Sequence, residues 1–238
     1  LNVAALQQAL NEILRRHEAL RTTFAEEGGQ PFQRINETLF LPLTIKEITR
    51  YAKAGEQEQE IMRIAAAFAR EEFDLANGPL IRWSLLHLPQ GNSADEHILL
   101  ITTHHIISDG WSSGIIVAEA STLYEAYVQG KPSPLQELAI QYPDFAAWQR
   151  TRFSDGPQLE QQITYWKKQL HGAPPVLDLP CRKTRPQEQS YRGKQATFRV
   201  EQSVRQLLET IGKDAGATPF MTLMSIFSVL LSRYGGGD

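Results

Sequence analysis

Four consecutive apolar residues, Ile98-Leu99-Leu100-Ile101, constrain this chain more than any other stretch. A strand with one wet face alternates apolar and polar residues, so an unbroken apolar run reads as a central strand covered on both faces. The run ends at Thr102-Thr103-His104-His105, and Asp109-Gly110 precedes a second apolar pattern in which Ile116, Ala120, Leu123, Tyr124 and Tyr127 share one helical face. Gly130-Lys131-Pro132 stops that helix. The order is strand, polar loop, helix, and α/β folds place ligand sites at that junction.

The flanking sequence supplies further elements. Val3, Leu6, Leu10, Ile13 and Leu14 recur at helical spacing after Asn2, a residue suited to capping. Thr22–Phe24 and Pro31–Ile35 read as a hairpin around Glu26-Glu27-Gly28-Gly29-Gln30. A helix is predicted over about 56–72, strands over 79–88 and 97–103, and further helices over about 142–151 and 157–170. Pro174, Pro175, Pro180 and Pro186 mark 174–190 as a linker. Beyond it come a strand over 195–200, a helix over 204–215 and a nearly all-apolar helix over 219–234 opened by Pro219. These divide the chain into a first lobe over 1–173, the linker 174–190 and the start of a second lobe over 191–238. The chain opens on Leu1 with a helix already under way, and ends at Asp238 just after an apolar helix, so it reads as a fragment.

With 238 residues, 42% of them hydrophobic, the chain can bury a sizeable core. Its formal net charge of −3 provides no broad basic field for nucleic acid or anionic lipid, although Arg182, Lys183 and Arg185 make a short basic run. Cys181 is the only cysteine, which excludes an internal disulfide and a cysteine-rich metal cluster and fits a cytoplasmic setting. It lies in the linker and reads as an ordinary residue there rather than a nucleophile. There is no membrane-spanning apolar stretch.

On a strand, neighbouring side chains point to opposite faces, so His104 and His105 cannot both face one cleft unless the strand has ended. Imidazole titrates nearest neutrality, which suits one of the two to general-base work, while the other is held inside by hydrogen bonds. Asp109 either orients a histidine or pins the loop through an arginine; Gly110 permits close backbone approach. The plain alternative is that the pair serves structure alone. Opposite strand faces spoil zinc geometry, and no third ligand stands at a characteristic spacing. Ser108 does not sit in the context of a nucleophile elbow.

The stretch His104-His105-Ile106-Ile107-Ser108-Asp109-Gly110-Trp111-Ser112 resembles the HHxxxDG signature of condensation domains of nonribosomal peptide synthetases. Two more motifs resemble that family in the same order: Arg16-His17-Glu18-Ala19-Leu20-Arg21-Thr22-Thr23-Phe24 its RHExLRTxF motif, and Tyr142-Pro143-Asp144-Phe145-Ala146-Ala147-Trp148 its YxDFAxW motif. Phe73-Asp74-Leu75, Gly78-Pro79-Leu80 and Tyr165-Trp166 are also similar. The family's first motif, before Leu1, and most of its second lobe, after Asp238, are missing, which puts the fragment's own activity in question.

The resemblance implies a chloramphenicol acetyltransferase-like α/β fold, a mixed sheet covered by helices followed by the truncated start of a second similar lobe, with the site in a tunnel between lobes. It implies amide formation: the α-amine of a carrier-bound aminoacyl acceptor attacks the thioester of a carrier-bound donor. The partners are then donor and acceptor carrier proteins and adjacent adenylation domains, with no nucleic acid or membrane. No cofactor is bound intrinsically; the substrates ride on phosphopantetheine. By the same resemblance His105 is catalytic and His104 its structural neighbour. Asp109 holds the loop by pairing with Arg16, Gly110 marks close approach to substrate, Arg21 is a framework residue, and Tyr142, Asp144 and Trp148 pack and cap. Trp111 and Ser112 resemble the subtype that accepts an L-configured donor. A free α-amine has a pKa of about 7.7 to 8.0, so His105 has to orient it and take its proton rather than create the nucleophile. Competing readings are ester-forming acyl transfer or epimerisation on the same scaffold, and a non-catalytic carrier-docking module.

Overall fold

The computed structural model describes residues 1–48, 55–89, 95–153, 156–174, 179–180, 187, 193 and 196–235. These residues fall into two units, Leu1–Leu159 and Glu160–Asp238. Most of the predicted linker, including Cys181, Arg182, Lys183 and Arg185, lies outside the described residues.

The first unit is organised by helix α1 (Val3–Arg16), whose apolar stripe is buried along its whole length: Leu10, Ile13 and Leu14 are each at most 1% exposed. Asn2 caps it by accepting from Ala5 N at 3.1 Å. A single 3-10 turn, Glu18–Arg21, leads into strand β1 (Thr22–Glu27), paired antiparallel with β2 (Gln30–Ile35). Gly28 and Gly29, at φ 58° and 79°, form the two-residue turn between them, which needs positive φ at both positions.

A second sheet holds strand β3 (Thr44–Glu47), β4 (Ile81–Leu88) and β5 (Glu96–Thr103), in that order, with β3 parallel and β5 antiparallel to β4. Helix α2 (Glu56–Arg70) packs on one face, where Ile64 meets Leu86, Leu88, Ile98 and Leu100. On the other face α1 and α3 (Gly110–Val128) pack with Ile81, Trp83, Leu85, Leu99 and Ile101. Alternate residues of the apolar run 98–101 thus enter two different clusters. The run is covered on both faces, as its composition requires. The centre of the sheet is nevertheless β4, because β3 occupies the other side of it; β5 forms one edge among the described residues.

Helix α4 (Tyr142–Phe153) completes this unit, and α5 (Pro157–Gln169) runs from it into the next. In the second unit, α6 (Gln202–Asp214) and α7 (Pro219–Gly235) are joined by a turn at Gly216, φ 63°. The pair crosses closely at Gly212, where a Cβ would come within 2.7 Å of Thr222 Oγ1. The predicted strand over 195–200 does not form: the described residues 196–200 carry no ladder pairing and are exposed. A strand exists through its neighbours, which a short sequence cannot show. No single helix among the described residues is long and apolar enough to cross a membrane.

Candidate active site

Strand β5 ends at Thr103, just before the two histidines, and their surroundings differ. His104 N donates to Leu80 O at 2.8 Å, the last backbone tie to the neighbouring segment. Its ring is half-buried, Nδ1 accepts from Ile106 N at 3.0 Å, and the edge of Phe73 lies with ring centroids 6.0 Å apart. Phe73 is itself fixed, with the Arg82 guanidinium 3.9 Å from its centroid. Phe73 therefore packs against His104, and the neighbouring Asp74 carboxylate holds its own turn by accepting from Ala76 N and Asn77 N. His105, one residue on, is exposed.

His105 opens on a cleft of about 430 Å³, within the usual ~300–1,000 Å³ of small-molecule sites. Its wall combines the loop 105–109 and Ser112 with His17, Ala19, Thr22, Phe24, Gln33 and Tyr142. Ser108 is buried and its Oγ has no hydrogen-bond partner. Tyr142 lines the cleft, with its ring centroid 6.1 Å from that of Phe145. Asp144 reaches back to accept from Gln141 N at 2.9 Å, tightening the first turn of α4, whereas Trp148 is 52% exposed and so does not pack into a core.

Asp109 and Arg16 do not pair. Asp109 stands at the N-cap of α3, exposed, and Oδ1 accepts from Ser112 N at 2.8 Å and Ser112 Oγ at 2.6 Å. Those bonds, the hydroxyl first, hold the carboxyl below its ordinary range, with a smaller contribution from His105. The helix start supplies two donors to Asp109 Oδ1 and the side chain is exposed to water, so no arginine is required. Arg16, 3% exposed, pairs instead with Glu119 further along α3: Nε reaches Oε2 at 3.2 Å, while Nη1 donates to Gln136 O at 2.8 Å. Glu119 also holds His17, Nε2 to Oε2 at 2.9 Å. Burial opposes its charge, but the Arg16 and His17 bonds outweigh it and keep the carboxyl below the ordinary range.

Arg21 binds the carbonyls that end α1, donating from Nε to Leu14 O at 3.2 Å and from Nη2 to Arg15 O at 3.4 Å, and Nη1 donates to Asn36 O. Gly110 is the first residue of α3; among the described residues a Cβ there would meet nothing within 4 Å, so none of them demands a glycine. Among the described residues no group of three or more His, Cys, Asp or Glu side chains is arranged to hold a metal ion.

His17 and Glu119 are residues of the site to which the sequence reading assigns no role. His17 lies inside a motif whose arginine is its more conspicuous charge, and Glu119 lies on the same face of α3 as the buried Ile116, Leu123 and Ala126, with no local signal to mark it.

The whole chain, residues 1–238, matches the Condensation domain family. It belongs to that family. Over 241 residues it is 44% identical to malpibaldin synthetase of Mortierella alpina, and over 236 residues 39% identical to a linear gramicidin synthase polypeptide of Brevibacillus parabrevis. Those matches cover 100% and 99% of this chain but only 4% and 3% of the two synthetases. Among solved structures, the complex of the X-domain and OxyB from teicoplanin biosynthesis superposes with a TM-score of 0.85 at 29% identity, covering 100% of this chain and 50% of that one. The condensation domain therefore has the chloramphenicol acetyltransferase-like α/β fold, and this chain spans half the length of its solved counterpart.

Proposed function

We propose that this condensation domain forms amide bonds between two carrier-bound thioesters, with His105 as its catalytic residue. The observation that carries this reading is the position of His105: exposed at a strand end, on the wall of a cleft, in a loop whose Gly110 leaves open space beside it. The acceptor's amino nitrogen bonds to the donor carbonyl carbon, the carbon–sulfur bond breaks, and the amine proton passes through the imidazole to the departing sulfur. His104 holds the loop from below, Asp109 fixes the start of α3, and Arg16 and Arg21 fix the end of α1. The substrates arrive on the phosphopantetheine arms of donor and acceptor carrier proteins supplied, with adenylation domains, by the same cytoplasmic synthetase. Residues 1–173 form the first lobe, 174–190 the connection and 191–238 the start of the second. An L-configured donor is the one offered first.

The test is condensation between two loaded carriers by the parent synthetase and its H105A variant, with melting curves for both. Lost product at unchanged melting supports the reading, and unchanged turnover overturns it. A second reading, a docking module without catalysis, is favoured by the solved neighbour being the X-domain in complex with OxyB. It requires carrier or partner binding that survives while the wild-type synthetase makes no amide across this domain.

A further inference from the structure

The cleft contains a second imidazole, and its surroundings are more elaborate than those of His105. His17 stands where α1 breaks, at φ −106° and ψ 103°: its N–H still bonds to Ile13 O at 3.0 Å, while its carbonyl accepts from Leu20 N at 3.1 Å. Gln141 clamps the peptides on either side, donating from Nε2 to Arg16 O at 2.8 Å and accepting from Glu18 N at 3.1 Å. The ring is fixed by Glu119 through Nε2. Glu119 already has a cation in Arg16, so its own charge does not require His17. A carboxylate only accepts, so Nε2 carries the hydrogen, and in the neutral ring Nδ1 presents a lone pair. Among the described residues Nδ1 has no hydrogen-bond partner, the side chain is 22% exposed, and it lines the same cleft as His105.

We propose that His17 is an acceptor-binding residue: Nδ1 takes a hydrogen bond from the amino group of the acceptor while Glu119 fixes the ring. This rests on the amide-forming reading above and adds the site of the amine. Of the other polar groups lining the cleft, Thr22, Gln33 and Tyr142 are uncharged and Asp109 Oδ1 already accepts from Ser112 N and Oγ, so the lone pair of an imidazole aligned by a carboxylate is the acceptor offered to an entering amine.

The experiment uses the parent synthetase with H17L, H17Q and H105A variants. Turnover is measured against the concentrations of donor-loaded and acceptor-loaded carriers, alongside binding of a carrier loaded with the aminoacyl group or its deaminated analogue. H17L is expected to raise KM for the acceptor about tenfold, equivalent to about 1.4 kcal/mol, with donor KM unchanged. Binding of the aminoacyl carrier weakens and that of the deaminated carrier does not. H17Q keeps an amide donor for Glu119 and an acceptor oxygen, so it recovers part of the loss and still reports if H17L fails to fold. Equal weakening of both carriers places the contact on the pantetheine arm and overturns the assignment. Unchanged acceptor KM in H17Q and H17L, with H105A inactive, overturns it while leaving the amide-forming reading intact. An active H105A overturns the reading beneath it.

Discussion

The two sides of the cleft are built on opposite principles. At the His17 corner, a buried guanidinium, a carboxylate and a glutamine amide join α1, α3 and the start of α4, so partners far apart in sequence hold one imidazole in place. At the His105 loop one backbone bond, His104 N to Leu80 O, reaches a distant segment, and the side-chain hydrogen bonds are local: His104 Nδ1 to Ile106 N, and Asp109 to Ser112. A corner assembled from distant elements is fixed only when the whole unit is folded. A loop closed by bonds within three residues can leave its working group exposed without loosening the fold. The difference separates residues whose loss unfolds the protein from residues whose loss silences it.

The comparison breaks most visibly at Arg16. Arg16→Ala leaves Glu119 partly buried beside His17 alone and removes the tie to Gln136 O, and breaking one partner of such a pair costs about 3–5 kcal/mol. Urea unfolding should show a loss of this order. A shift under about 1 kcal/mol would mean that the pair behaves as an ordinary surface salt bridge.

His104→Ala should destabilise less, by about 1 kcal/mol for the lost hydrogen bond to Ile106 N plus the contact with Phe73. Activity should fall in step with stability, as a thermal melt paired with the condensation assay will reveal. Asp109→Ala should cost less than Arg16→Ala, because an exposed cap is replaced by water rather than by an unpaired buried charge. The Asp109 carboxyl is held below its ordinary value of 3.8, so its contribution is present above that pH and is lost as pH falls through the lower folded value. The acid limb of the stability curve should accordingly flatten in Asp109→Ala. An unaltered limb would show that the Ser112 bonds add nothing. At the far end stands His105→Ala, with no measurable change in melting and loss of amide formation; a drop in melting comparable to that of His104→Ala would show that the exposed ring is part of the framework.

Much of this is legible in the residues themselves. Helical spacing locates α1 and α3, because a 3.6-residue repeat is a local property. The paired positive-φ glycines mark the β1–β2 turn. The apolar run 98–101 requires cover on both faces, and clusters on either side of the sheet supply it. Strand β3, only Thr44–Glu47 and fully exposed, carries no such signal, since four residues without an apolar pattern become a strand only by pairing with β4. The run at 219–234 shows the limit in the other direction: its composition announces a helix, yet Thr222 is its only buried residue among those described, because periodicity names an element and not its partner.

The motifs by themselves determined the family, the loop that carries His104, His105, Asp109 and Gly110, and which residue types are available for proton transfer. Only the tertiary structure decided who partners whom. Asp109 is satisfied by Ser112 three residues away, while Arg16 crosses to Glu119 and brings His17 with it. A charge near neutral donors is satisfied locally whenever a helix start offers them, and a buried cation must find its counter-charge wherever packing places one. That choice depends on distances between elements, which no one-dimensional pattern contains.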